Sequence, residues 1–278
     1  MKIHGFVAEA TWMTTKEKAK KITVDHFIYY LFAPTLVFRT EYPKTEKVDI
    51  SRVLYFFSQF LLVVILDFYT IPPFVMSNFS EYGKGPYGVP TYIHKIFQGC
   101  LMGVLTLFSI WYGILHCWSN LWAEMLQFAD RRFYDKWWLL GSYSKYYREW
   151  NVVVHDWLHN YVYREVIVFT SGNRAIGALA TFLLSAVFHE LIITTSLGFY
   201  YPVLFVMFAG MGVIVYFISL RFPNFNTSAG NIFLFFSIFL GWSFQIVFYS
   251  SEYYARINCP QVYSSWMDKL LPRSWTCF

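Results

Sequence analysis

Five apolar runs of roughly bilayer-spanning length constrain this chain more than any other feature: Val53–Ile71, Ile96–Ala123, Ala175–Tyr201, Val203–Leu220 and Ile232–Ser250. A helix that crosses a bilayer needs about 20 mostly apolar residues. The runs are continuous, whereas a membrane β-barrel alternates apolar and polar positions over short segments. Charge agrees: only 14% of the 278 residues are Asp, Glu, Lys or Arg, against about 25% in a soluble domain. The 56% hydrophobic content also excludes disorder. The fold expected is all-α and polytopic, with about five transmembrane helices. An earlier stretch, Ile22–Phe38, is broken by Asp25, His26 and Pro34. It reads as an interfacial or re-entrant segment.

Lys and Arg divide unevenly across such a topology. Residues 1–52 carry nine, segment 124–174 carries seven, and Arg221 follows the fourth span. The opposite face holds Lys84, Lys95, Arg256, Lys269 and Arg273. The positive-inside rule makes the first group cytosolic and the tail 251–278 luminal or extracellular. The net charge of +5 then reflects loops that flank the membrane, and no nucleic-acid partner is expected. Met1 to Trp12 has no apolar core of signal-peptide length, so insertion is expected to rely on internal helices. Four cysteines are too few for a disulfide scaffold. Cys259 and Cys277 fall on the oxidising side, where they can pair, whereas Cys100 and Cys117 lie in a span and read as packing residues. The sequon at Asn78 is luminal but close to the membrane, and that at Asn226 is cytosolic and expected to stay unmodified. Gly99-x-x-x-Gly103 permits close helix contact.

Segment 124–174 is too long for a connector and dense in Trp and Tyr, as suits amphipathic helices at a bilayer interface. Chemistry-bearing residues concentrate here and in the third span. His189-Glu190 places two ionisable groups inside a span, a costly arrangement that points either to function or to an interhelical pair. Imidazole accepts a proton near neutral pH. Asp67 and His116 also lie in spans, and Asp67 reads as interfacial because it stands near a helix end. In Trp150–Trp157, Asn151 and His155 are four apart and are expected to share a helix face. His155 and His159 have the spacing of a zinc-protease helix, with Glu190 as a conceivable third ligand. Asp156 is too short to serve as that helix's general base and no other part of the signature appears, so no metal is expected. Lys145, Arg148, Arg164 and Arg174 can meet phosphates of a soluble anionic ligand, although Arg164 is explained by membrane flanking alone. Gly83–Gly88 lacks the strand–helix context of a phosphate loop.

These strings together resemble the sterol O-acyltransferases of the membrane-bound O-acyltransferase family. The match is carried by Phe32-Ala-Pro-Thr-Leu-Val-Phe-Arg39, His116-Cys-Trp118, Glu124-Met-Leu126, Tyr143–Arg148, Trp150–Trp157, Ser185–Glu190, Tyr201–Phe205 and Pro272–Cys277. It runs from about Lys20 onward and corresponds to the C-terminal part of the family's fold; the family's first membrane helices have no counterpart. The resemblance implies transfer of a long-chain acyl group from acyl-coenzyme A to a sterol hydroxyl in the endoplasmic reticulum membrane, giving a steryl ester. It implies His189 as catalytic base and Asn151 as its partner. Acyl-coenzyme A contacts fall at Lys145, Arg148, His155, Tyr163, Arg174 and Ser185, and the luminal disulfide at Cys259 and Cys277. Acyl-coenzyme A is a co-substrate, no permanent cofactor or metal is implied, and the partners are the fatty acyl-coenzyme A, the sterol, membrane lipids and further copies of the chain. On this reading residues 1–52 form a cytosolic or interfacial segment and 53–278 the catalytic region. The alternatives are acyl transfer to another lipid alcohol, such as diacylglycerol, and a truncated, non-catalytic membrane subunit. The family's Phe-Tyr-x-Asp-Trp-Trp-Asn appears as Phe133-Tyr-Asp-Lys-Trp-Trp-Leu139. Lys145 stands for an Asn, and Leu191 for the Tyr after His-Glu.

Overall fold

The computed structural model describes residues 1–15, 22–84, 87–221, 227–262, 264 and 266–277. Among these residues the chain is helical, with no β-strand and a single antiparallel bridge between Lys44 and Phe128. In chain order the helices are α1 (Lys2–Thr15), α2 (Val24–Phe32), α3 (Ile50–Phe79), α4 (Val89–Met125), α5 (Tyr143–Glu149), α6 (152–169), α7 (Arg174–Leu197), α8 (Val203–Arg221), α9 (Thr227–Asn258) and α10 (Met267–Leu270). Five of them, α3, α4, α7, α8 and all but the first residue of α9, are long and apolar enough to cross a bilayer. All five apolar runs are therefore spanning helices, most of them longer than the runs themselves. The nine residues of α2 are too few to span. The sequon at Asn226 lies outside the described residues.

The extension of α3 corrects the reading of Asp67. Pro72 and Pro73 do not end α3, which continues to Phe79. Asp67 is thus interior to the helix rather than near its end. Proline is tolerated inside membrane helices because neighbouring groups satisfy the freed carbonyls. Asn78 lies in the last turn of the same helix. Its amide donates to the Phe74 carbonyl at 2.9 Å and accepts from Lys95 Nζ at 3.1 Å, so that sequon is helical and its side chain is in use.

Helix starts follow local chemistry. Thr23 and His26 cap α2 reciprocally, each side chain accepting from the other's backbone N–H. Asp49 accepts from Ser51 and Arg52 N–H at the start of α3, and Asn173 from Ala175 and Ile176 N–H at the start of α7. Such caps satisfy backbone donors that a helix leaves unpaired in its first turn. Three stretches widen to π-helix: Ile110–Trp118 in α4, His159–Tyr163 in α6 and Met207–Gly212 in α8. Single π turns recur at functional sites.

The chain forms two compact units, Met1–Val64 with Ser109–Thr181, and Ile65–Phe108 with Phe182–Phe278. In the first, Ala33, Ala123, Phe128 and Phe133 form a buried cluster with Tyr29, Tyr42 and Tyr134 packed against it. Buried Glu124 accepts from Asp49 N–H at 3.0 Å and pairs with Arg131 at 2.7 Å. Helix α1 docks through Lys2, whose ammonium donates to the Tyr30 and Ala33 carbonyls at the C-terminal end of α2. That end carries partial negative charge, yet burial pulls the Lys2 pKa down to about 8.

In the second unit the Gly99–Gly103 pair has a definite use. A Cβ on Gly103 would come within 3.0 Å of the Ser243 backbone and Trp242, so α4 and α9 approach closely there. Ser243 Oγ donates to the Ile96 carbonyl across the contact. The far end of α9 is tied to the tail. Cys259 and Cys277 are disulfide-bonded, with Cα atoms 5.8 Å apart, and Gly83, at φ +85°, lies against both sulfurs where a Cβ would collide. Fully buried Glu252 accepts from Arg256 Nε at 2.7 Å and from the Arg273 and Ser274 N–H groups at 2.8 Å. Asp268 pairs with Arg256 and Arg273.

Candidate active site

His189 and Ser185 lie one turn apart on α7, in the second unit. The Ser185 carbonyl is 2.7 Å from His189 Nδ1. A carbonyl only accepts, so Nδ1 carries the proton and the lone pair is left on Nε2. Ser185 Oγ stands 3.4 Å from the same Nδ1. One face of the ring stacks on Phe208 with centroids 4.4 Å apart and planes 24° apart. Phe208 belongs to the π stretch of α8. The half-buried imidazole is therefore fixed in tautomer and orientation.

Glu190, the other ionisable group of the pair, faces elsewhere. Its carboxylate accepts from Phe205 N–H at 3.0 Å and from the Tyr249 hydroxyl at 3.0 and 3.1 Å. Both oxygens are occupied, which leaves it unsuited as a metal ligand. His155 and His159 stack at 5.9 Å, but the π stretch begins at His159 and departs from the regular helix of the protease motif. Burial, together with His155 and Arg164 nearby, lowers the His159 pKa. Among the described residues no cluster of three or more His, Cys, Asp or Glu is arranged to hold a metal.

Asn151 belongs to the first unit and does not lie within a helix face. It is the N-cap of α6, at φ −140° and ψ 87°, and its Oδ1 accepts from Val154 N–H at 3.1 Å. The expectation that it shares a helix face with His155 is corrected: the non-helical cap conformation turns it away from the helical register. Capping also fixes the amide. With Oδ1 engaged, Nδ2 is the group left to donate.

A cleft of about 440 Å³ opens beside it in the same unit. Arg39, Arg132, Arg148 and His155 line it together with Asp130, Glu149 and Asp156. Arg39 reaches Asp130 at 3.9 Å, Arg132 reaches Asp135 at 2.9 Å and His155 Nδ1 lies 3.2 Å from Asp156. Arg148 has no carboxylate within ion-pair distance among the described residues. Of the cationic residues expected to meet phosphates, the cleft thus includes Arg148 and adds Arg39 and Arg132. Lys145 sits a turn earlier on α5, its N–H bonded to Ser142 Oγ. Arg164 lies over the Trp12 ring. Arg174 is exposed at the start of α7, and Tyr163 stacks on His159 at 5.4 Å. None of these four lines the cleft.

The altered motif is packed into its unit. Phe133 and Trp137 are buried, and Tyr134 OH meets His116 Nδ1 at 2.7 Å. Asp135 receives the Lys136 N–H and Arg132, both of which lower its pKa. Leu139, where the family carries Asn, is 61% exposed. Arg39 lay inside a recognised string but had no charge partner in sequence to mark it. Phe208 and Tyr249 carried no signal at all, being two among 52 Phe and Tyr residues.

The chain belongs to the membrane-bound O-acyltransferase family, which it matches over residues 21–251. Among its relatives is sterol O-acyltransferase 1 of Mus musculus, 40% identical over 287 aligned positions that cover all of this chain and 52% of the relative. Sterol O-acyltransferase 2 of Homo sapiens is 36% identical over 282, covering all of this chain and 54% of the relative. The chain spans about half the length of the curated relatives it matches.

Proposed function

We propose that the chain transfers a long-chain acyl group from acyl-coenzyme A to the hydroxyl of a sterol, with His189 as general base. The observation that carries the reading is the Nδ1–H bond to the Ser185 carbonyl, which leaves Nε2 as a proton acceptor inside an apolar span. A neutral alcohol is a weak nucleophile. Nε2 takes the hydroxyl proton as oxygen attacks the thioester carbon. The carbon–sulfur bond then breaks, and the imidazolium returns its proton to the departing coenzyme A thiolate. Family resemblance assigns Asn151 as the partner of this base; with Oδ1 committed to the cap, its Nδ2 is a donor of the kind that stabilises a developing oxyanion or orients the imidazole. Arg148, with Arg39 and Arg132 beside it, holds phosphate groups at the cleft; Lys145, His155, Tyr163, Arg174 and Ser185 are assigned to the same ligand by family resemblance. Phe and Trp side chains exclude water and protect the thioester.

The same reading takes 53–278 as the catalytic region, puts segment 124–174 in the cytosol and the disulfide-linked tail in the lumen of the endoplasmic reticulum. The experiment is expression in membranes that lack endogenous sterol esterification, supplied with labelled acyl-coenzyme A and either cholesterol or diacylglycerol. Steryl ester that disappears in His189→Ala supports the proposal. Ester from diacylglycerol alone moves the acceptor to another lipid alcohol. No ester from either, with normal accumulation, makes the chain a non-catalytic membrane subunit.

A further inference from the structure

We infer that Glu190 is a positioning residue for His189, acting through the first turn of α8 and Phe208 rather than through its own charge. The two residues are adjacent in sequence, so on a helix their side chains diverge by about 100° and cannot meet directly. The structure connects them by a longer route within the second unit. Helix α8 begins at Val203 after Pro202, which offers no side-chain cap. Val203 N–H reaches the Tyr201 carbonyl at 2.7 Å, but the Leu204 and Phe205 donors would be orphaned in an apolar medium, at several kcal/mol each. Two side chains from other helices take them instead. Phe205 N–H donates to Glu190 at 3.0 Å, and Leu204 N–H donates to the Tyr249 hydroxyl at 3.1 Å. Tyr249 in turn donates to the Glu190 carboxylate. Glu190 is 3% exposed. A carboxylate is well matched to a helix N-terminus, where the helix dipole favours negative charge.

Phe208 lies three residues beyond Phe205, on the same side of α8. It lies just inside the π stretch and covers the His189 ring. The contacts form a closed circuit: Glu190 on α7 anchors the start of α8, the start of α8 sets Phe208, and Phe208 returns to His189 on α7. With Nδ1 already bound to Ser185, the stacked ring keeps Nε2 aimed in one direction. Releasing the anchor frees α8 to shift and the imidazole to rotate. A misplacement on the order of 1 Å can cost about a hundredfold in rate.

The inference rests on His189 being the base, and its test separates the two. Steryl-ester formation is measured for wild type, Glu190→Ala, Glu190→Gln, Phe208→Leu and the Glu190→Ala/Phe208→Leu double variant. The rate at which diethyl pyrocarbonate modifies His189 is followed in parallel by peptide mass spectrometry. The expected result is a loss of about tenfold or more in kcat with KM within about twofold for Glu190→Ala and Phe208→Leu, the double being no worse than the lower single. Glu190→Gln, which keeps an acceptor for Phe205 N–H, should stay within about threefold of wild type. The modification rate should rise about threefold or more in both single variants and no further in the double. Glu190→Gln as inactive as Glu190→Ala would assign the carboxylate a chemical role and overturn the inference. So would additive losses, or full activity in Glu190→Ala. If wild type makes no ester, the functional reading fails and the modification rates alone decide the brace; unchanged rates refute it. Tyr249→Phe, which removes the second tie to the carboxylate, is measured alongside. If Glu190→Ala does not accumulate, Tyr249→Phe must show the same kcat loss and faster modification, and unchanged values there refute the brace.

Discussion

Asn151 caps a helix and is proposed to donate to the reacting carbonyl, and substitution can separate the two roles. Its Oδ1 caps α6 by accepting from Val154 N–H at 3.1 Å, while its Nδ2 is the donor assigned to the oxyanion. Serine and aspartate both cap helices about as well as asparagine, so Asn151→Ser and Asn151→Asp should change stability by only a few tenths of a kcal/mol. Neither offers an amide N–H. Loss of one oxyanion donor costs about 2.7–4 kcal/mol in the transition state, or roughly 100- to 1,000-fold in kcat. Asn151→Ala removes both functions and should match that rate loss while also losing about 1 kcal/mol of stability. The assay is steryl-ester formation in membranes at saturating acyl-coenzyme A, with thermal inactivation of detergent-solubilised protein as the stability measure. An Asn151→Ser or Asn151→Asp variant that keeps wild-type kcat would show that the residue is only a cap, and the oxyanion assignment would fall.

Three further outcomes are expected. Arg148→Ala, which removes a cation with no carboxylate partner among the described residues, should raise KM for acyl-coenzyme A by about ten- to a hundredfold, as loss of charge-assisted hydrogen bonds predicts; steady-state kinetics over a range of salt concentrations checks it. Gly83→Ala places a Cβ against both sulfurs of the Cys259–Cys277 bond at a positive φ, so the fraction of disulfide formed should fall, read by maleimide labelling without reductant. Burial holds the docked Lys2 pKa at about 8 against an ordinary value of 10.5. Between those values the undocked helix binds more protons, so docking of α1 should strengthen as pH rises from about 8 to 10 and be flat below 8. Amide exchange in α1, corrected for intrinsic rates, measures this, and protection that weakens with rising pH would contradict it.

The spans were legible because a bilayer leaves few alternatives for long apolar runs, and the structure lengthens most of those runs rather than replacing them. The length of α3 was not legible: its apolar run stops at Ile71, whereas the helix carries on through Pro72 and Pro73 to Phe79. Asp67 therefore lies inside the helix and not near its end. His189 stood out for the cost of an ionisable group in a span. Its orientation did not, because it depends on the Ser185 carbonyl and on Phe208, contacts made by backbone and by a ring in a different helix. Asn151 was visible as a residue but not as a cap, since spacing alone cannot distinguish the first residue of a helix from the one before it. The cleft was only partly foreseen: Arg39 stands more than 100 positions before Arg148 in sequence, and only tertiary folding puts both on one wall.

Glu252 carries a consequence for how the protein is made. Its carboxylate is fully buried at the end of α9, and two of its three donors are backbone N–H groups 21 and 22 positions further along the chain. Those donors emerge from the ribosome after the helix that needs them. Until they arrive, Arg256 is the one donor to that carboxylate among the described residues. A message cut short between Asn258 and Arg273 therefore yields a last helix with an under-satisfied buried acid, a lesion of several kcal/mol. Nonsense variants in this stretch should therefore accumulate less than the full chain, read by immunoblot of membranes, although every spanning helix is present.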